Sequence, residues 1–173
     1  VYGTVKNHKG SVDLFSQPGK GTEVRIHLPA SDQEFSYDEV NQERSTDSVT
    51  FDICVLLVED EPSLAEVETA MLRSLGCTVI LCKNGKEAVD TFSKSWRDID
   101  LVILDMVMPV MNGKEAFYAM KKINPEVLAI LVSGYSLNGE AQSLLAKGIK
   151  GFVHKPYQKS EMADAIAEAI RTN

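Results

Sequence analysis

Residues 101–113 read LVILDMVMPVMNG. Four consecutive residues drawn from Leu, Val and Ile stop at an aspartate, and a Met-Pro loop ending in glycine follows. A strand that is apolar on both faces belongs inside a parallel sheet, where helices cover either side. On both sides of it in the sequence lie further strand candidates: ICVLLV at 53–58, TVIL at 78–81, VLAILV at 127–132 and GFVH at 151–154. The segments between them carry helical periodicity. Leu64, Val67, Ala70, Met71 and Leu75 recur at spacings of three and four. The same holds for Ala88, Val89 and Phe92, for Ala116, Met120 and Ile123, for Leu144 and Leu145, and for Met162, Ala165, Ile166, Ala169 and Ile170. Pro62 suits a first helical position and Gly76 a helix end. Five βα units in succession predict an α/β domain, a doubly wound five-stranded parallel sheet. Such a sheet carries its functional site at the carboxyl ends of the strands.

Those ends hold a coherent set of groups. The first strand runs into Glu59-Asp60-Glu61, the third into Asp105, the fourth into Ser133-Gly134, and the fifth into His154-Lys155-Pro156. Carboxylates gathered in one place repel unless a cation joins them, and hard oxygen donors suit Mg²⁺. An acidic rim is the wrong surface for a phosphate by itself. It becomes suitable once a cation neutralises it, with Lys155 and Ser133 left to hold phosphoryl oxygens. Read blandly, Asp105 is a helix cap, Ser133 satisfies a turn, Phe152 belongs to the core, and Met106, Met108 and Met111 pack around the loop. Gly113 is expected to support a tight turn before the third helix.

The 173 residues are 44% hydrophobic and 25% charged, ordinary usage for a globular protein. No apolar run reaches the about 20 residues that a spanning helix needs, so no membrane contact is expected of this chain. It opens at Val1 without a basic-then-apolar start, so no signal peptide is expected. Cys54, Cys77 and Cys82 are an odd number without CxxC spacing, which favours a reducing cytoplasmic setting over a disulfide or zinc scaffold. The net charge of -7 argues against nucleic acid as a partner. Residues 31–50 carry six acids and one arginine in an aperiodic polar stretch, the composition of a linker. The expected organisation is an N-terminal piece (1–30), an acidic linker (31–50) and one compact domain (51–173).

The segments VLLVEDEP, LVILDMVMPVMNG, ILVSGYS and GFVHKPY, in that order and spacing, resemble the receiver domain of two-component response regulators. The resemblance implies a flavodoxin-like sheet ordered 2-1-3-4-5 with five helices. It also implies transfer of a phosphoryl group from phosphohistidine onto the aspartate after the third strand. Carried over by position, Asp105 is the acceptor, Asp60 a direct Mg²⁺ ligand, Glu59 a group acting on the metal through water, and the main-chain carbonyl of Val107 a further ligand. Ser133 and Lys155 match the hydroxyl and lysine, Pro156 the cis-proline, and Phe152 the aromatic switch residue. Val107 and Tyr135 stand where dephosphorylation is tuned, and neither is an amide or acid that would orient a water for attack.

The N-terminal piece alternates apolar and polar residues in SVDLFS (11–16) and EVRIHL (23–28) around QPGKGT, a hairpin pattern. Val12, Leu14, Val24, Ile26 and Leu28 form its inward set. With the short helix expected before it, the piece looks like the last part of the ATP-binding domain of sensor histidine kinases. Val24 stands at the usual Phe position of the GxGTxFxxxLP pattern. The order kinase tail, linker, receiver is that of a hybrid sensor histidine kinase. That parentage implies two partners: a kinase core in the same or a neighbouring chain, and a histidine phosphotransfer protein. The ATP loops and the phosphodonor helix are not among these residues, so enzymatic activity of the piece itself stays open. Three other readings compete. A flavin or nucleotide module would want a Ser/Thr/Gly-rich loop where Glu59-Asp60-Glu61-Pro62 stands, and an aspartyl phosphohydrolase would want Asp-x-Asp after the first strand. The third is a pseudo-receiver that only binds partners, which Asp105 and Lys155 count against.

Overall fold

The computed structural model describes residues 5–6, 8–30, 50–134 and 140–171, with the side chains of 140–142 excepted. The chain divides into two units, Val1–Ser45 and Thr46–Asn173.

In the first unit, β1 (Ser11–Gln17) and β2 (Gly21–His27) form an antiparallel hairpin. The register sets Val12 opposite Ile26 and Leu14 opposite Val24, so the alternating apolar residues share one face, as the pattern predicts. The turn uses Gly19 and Gly21 at φ 76° and 96°, a region that side-chain-bearing residues seldom adopt. The apolar face is nevertheless exposed, Leu14 by 67%. The N-terminal helix expected before the hairpin lies mostly outside the described residues.

In the second unit the strands are β3 (Cys54–Val58), β4 (Thr78–Cys82), β5 (Leu101–Asp105), β6 (Ala129–Ser133) and β7 (Gly151–His154). They pair in parallel in the order β4-β3-β5-β6-β7. The connecting helices are α1 (Pro62–Ser74), α2 (Gly85–Ser95), α3 (Gly113–Ile123), α4 (Glu140–Leu145) and, after β7, α5 (Lys159–Arg171). The doubly wound five-stranded sheet is therefore the observed fold. Strand residues alternate between two buried layers. Leu56, Val58, Val102, Leu104, Ala129 and Leu131 pack with Phe92 of α2 and with Phe117 and Met120 of α3. Val55, Leu57, Leu101, Ile103, Ile130 and Val132 pack with Leu72 of α1 and with Met162, Ile166 and Ala169 of α5. Burial on both sides is why the strands read as continuous apolar runs rather than as an alternation.

Helix ends follow local chemistry. Pro62 opens α1 at a position where its missing N–H is not needed. At the other end Gly76, at φ 85°, donates to Arg73 O at 2.9 Å, while Cys77 donates to Leu72 O at 3.1 Å. These two bonds satisfy carbonyls that would otherwise be orphaned. Asn84 caps α2, and Asn112 with Glu115 forms a reciprocal capping box on α3.

The apolar face expected on α1 needs correction. Val67 is 59% exposed and Ala70 also faces outward, whereas Ala65, Glu68 and Leu72 are buried. The two periodic stripes differ by about one residue, and packing selects the one that carries Leu72 and Leu75. We expect Leu72→Ala to destabilise the domain by about 2–5 kcal/mol. Val67→Ala should change stability by no more than about 0.5 kcal/mol. Urea unfolding of the two variants checks the assignment.

Candidate functional site

Sheet order sets the location of the site. The chain winds outward in opposite directions from β3 and β5, and a crevice opens at the carboxyl ends of these adjacent strands. Val58 pairs with Leu104, so the residues one step further, Glu59 and Asp105, emerge side by side. On the next pair outward Ser133 lies opposite His154, and Lys155 follows. Lys155 donates its N–H to Ser133 O at 2.8 Å, which carries the ladder one residue past β7.

Glu59, Asp60 and Asp105 each offer a carboxylate oxygen to a group lying within 4.8 Å of one another. Glu59 is buried, Asp105 half-buried and Asp60 exposed. The Lys155 ammonium donates to Glu59 Oε2 and to Asp105 Oδ2, both at 2.5 Å. The other Glu59 oxygen accepts from the Glu61 N–H at 3.1 Å, and Asp105 Oδ1 accepts from the Val107 N–H at 2.9 Å. Burial pushes the Glu59 carboxyl above the ordinary value of 4.5, despite its bonds from Lys155 and Glu61. Burial pulls the Lys155 ammonium the other way, but its bonds to Asp105 and Glu59 outweigh that and leave its pKa raised.

The remaining expected residues fall as follows. Ser133 is buried at the end of β6. Phe152 is partly buried against the α2/α3-side layer, paired in register with Leu131. Val107 presents its side chain outward, 61% exposed. The Lys155–Pro156 peptide is cis. Tyr135 lies outside the described residues.

Gly113 does not serve the turn expected of it. Its backbone φ is not positive; that conformation falls instead on Val110, at φ 69°. The first residue of α3 abuts the Asp105 carbonyl, and a β-carbon there would collide with that oxygen. Glycine is needed for close approach to the strand end rather than for the bend.

Sequence reasoning missed one pair. Glu68, on the inner stripe of α1, is 3% exposed and accepts a hydrogen bond from the Tyr157 hydroxyl. Burial holds the Glu68 carboxyl above 4.5, although the bond from Tyr157 acts to lower it. Burial and the adjoining Glu68 raise the Tyr157 phenol as well. The available signal was a glutamate three and four residues before Met71 and Leu72, on a face otherwise apolar.

This fold and rim define a class. Residues 55–167 match the model of the response regulator receiver domain, and the chain belongs to that family. Among curated relatives, the sensor kinase CckA of Brucella abortus is 33% identical over 98% of this chain and 19% of its own length. The transcriptional regulatory protein GlrR of Escherichia coli is 28% identical over 67% of this chain and 26% of its own. The chain thus spans about a fifth to a quarter of the length of these relatives. Among solved structures, a receiver domain from Clostridium thermocellum is 26% identical with a TM-score of 0.66, covering 69% of this chain and 95% of that one. The receiver domain of a Pseudomonas aeruginosa sensor histidine kinase, which holds a magnesium ion in its active site cleft, is 29% identical with a TM-score of 0.62. It covers 69% of this chain and 98% of that one.

The raised Glu68 carboxyl carries a pH signature. A carboxyl whose folded pKa lies above its unfolded value adds stability below the unfolded pKa, and that stability is lost as pH rises through the folded value. Glu68→Gln should abolish this component. The variant should be more stable than the parent at neutral pH, with the difference shrinking as pH falls toward 4.5. Denaturant midpoints measured across that window report it.

Proposed function

We propose that the domain at 51–173 is the phosphoacceptor of a phosphorelay, taking a phosphoryl group from phosphohistidine onto Asp105. The observation that carries this reading is the Glu59, Asp60, Asp105 cluster within 4.8 Å, with Lys155 hydrogen-bonded to the proposed acceptor. An Asp105 carboxylate oxygen attacks phosphorus, and the P–N bond breaks. Its electron pair leaves on the imidazole nitrogen, which takes up a proton. Lys155 exchanges the Asp105 oxygen for a phosphoryl oxygen, and the Ser133 hydroxyl holds another. Phe152 is assigned as the aromatic residue that responds to this change at Ser133.

The donor set fits Mg²⁺: hard carboxylate oxygens at the open end of the crevice, one of them on exposed Asp60. Asp60, Asp105 and the Val107 carbonyl would hold the ion directly, with Glu59 acting through water. When bound it supplies positive charge to the transferring group. The magnesium reported for the Pseudomonas receiver domain supports this assignment.

For the longer protein we propose a hybrid sensor histidine kinase. Residues 1–30 would be the end of its ATP-binding domain and 31–50 a tether. The match to CckA, which runs across the N-terminal piece as well as the receiver, supports this. The donor would then be a kinase core in the same or a neighbouring chain, and the recipient a histidine phosphotransfer protein. A cytoplasmic setting fits such chemistry and the free thiols of Cys54, Cys77 and Cys82. No helix among the described residues is long and apolar enough to cross a membrane.

Radiolabelled acetyl phosphate tests the acceptor. Label should enter the parent only with Mg²⁺, vanish in Asp105→Asn and fall sharply in Asp60→Ala. Undiminished labelling of Asp105→Asn would remove the assignment. Beryllofluoride should bind only when Mg²⁺ is present.

The lifetime of phospho-Asp105 is a separate expectation. Hydrolysis needs a water in line with the leaving oxygen, and neither Val107 nor Tyr135 is an amide or acid of the kind that orients one. Replacing them together with Asn and Glu should speed phosphate release by about tenfold or more, a barrier change near ~1.4 kcal/mol. An unchanged rate leaves both residues as packing groups.

A further inference from the structure

Glu68 and Tyr157 have no part in the chemistry just described, yet buried Glu68 and partly buried Tyr157 form a carboxylate–phenol pair. A carboxylate placed in an apolar layer is expensive unless it is hydrogen-bonded. Glu68 stands on the stripe of α1 that carries Leu72, and the bond it receives comes from Tyr157, whose ring packs with the α1/α5-side layer. Tyr157 is two residues beyond Lys155, with Pro156 between them. The proline ring fixes one of the two soft torsions at that residue, so displacement of Tyr157 passes to Lys155 with little slack. On its other side the segment is tied by the Lys155 N–H to Ser133 O at 2.8 Å. The lysine is therefore gripped from both directions: by the sheet before it, and through Tyr157 by a helix from the far end of the sequence.

We propose that the Tyr157–Glu68 hydrogen bond positions Lys155, so that Glu68 and Tyr157 are positioning residues for phosphoryl transfer. The inference rests on the phosphoacceptor reading. Lys155 must hold its ammonium against Glu59 and Asp105, both at 2.5 Å, and then follow the incoming phosphoryl oxygen. A long side chain on a loosened backbone spends less of its time there, and small misplacements of a reacting group are costly in rate. A merely structural pair would act only through stability. Removing one partner strands the other, whereas replacing both with apolar groups of similar shape is nearly neutral for folding.

The experiment measures labelling of the full chain by acetyl phosphate at saturating Mg²⁺, alongside urea stability. Tyr157→Phe should slow labelling by about tenfold. Glu68→Gln, which keeps an acceptor for the phenol, should label close to the parental rate. The double variant Glu68→Leu with Tyr157→Phe decides the matter: its stability should recover, while labelling stays slow. The Mg²⁺ concentration for half-maximal labelling should not move, because Glu59, Asp60 and Asp105 are untouched. Parental labelling by a stable double variant would overturn the inference and leave the phosphoacceptor reading standing. A parent chain that takes no label would overturn both.

Discussion

Three carboxylates within 4.8 Å of one another, one of them buried, repel strongly. At an effective dielectric near 20 each pair of full charges costs about 3 kcal/mol. The Lys155 ammonium, bonded at 2.5 Å to both Glu59 and Asp105, offsets that repulsion in this structure. The rest of the domain serves this juxtaposition. The β3–β5 register delivers two of the acids, β7 delivers the lysine, and helices on both faces keep the strands in place. On the phosphoacceptor reading proposed above, Lys155 is also the natural point of change, because a phosphoryl group on Asp105 would compete for the same ammonium.

The loop after β5 shows how closely the scaffold is built around Asp105. The Val107 N–H holds one Asp105 oxygen, the Met106 N–H continues the ladder to Val132 O at 2.8 Å, and Gly113 lets α3 start against the Asp105 carbonyl. The left-handed backbone falls on Val110, a β-branched residue for which it is unfavourable. Strain of that sort persists where surrounding contacts over-determine it, and here the asparagine-capped start of α3 and the end of β5 bracket it. On the opposite side, the Glu68–Tyr157 pair places polar chemistry beneath the rim, in a layer that is otherwise apolar.

The hairpin unit shows the same logic in the negative. Its register is consistent, with Val12 and Leu14 facing Ile26 and Val24, but two strands do not bury enough surface to stand alone. Pattern and pairing therefore agree, while the apolar face stays open to solvent.

Much of the domain was legible in the linear sequence. Five short apolar runs, four of them leading into a charged or hydroxyl-bearing residue and all separated by helical periodicity, admit few topologies other than a parallel sheet with its polar groups at one rim. Glu59, Asp60, Asp105, Ser133 and Lys155 were readable for that reason, since a strand end is a local feature. Three things were decided only by tertiary structure. Which stripe of α1 turns inward depends on the sheet it meets, so Val67 was misjudged and Glu68 overlooked. The reason for Gly113 lies in the carbonyl of a residue eight positions earlier, which no local turn rule contains. The bond from Lys155 to Glu59 joins residues 96 apart in sequence, and that from Tyr157 to Glu68 joins residues 89 apart. Periodicity records which residues prefer burial; it does not record which partner each one meets once the chain has closed on itself.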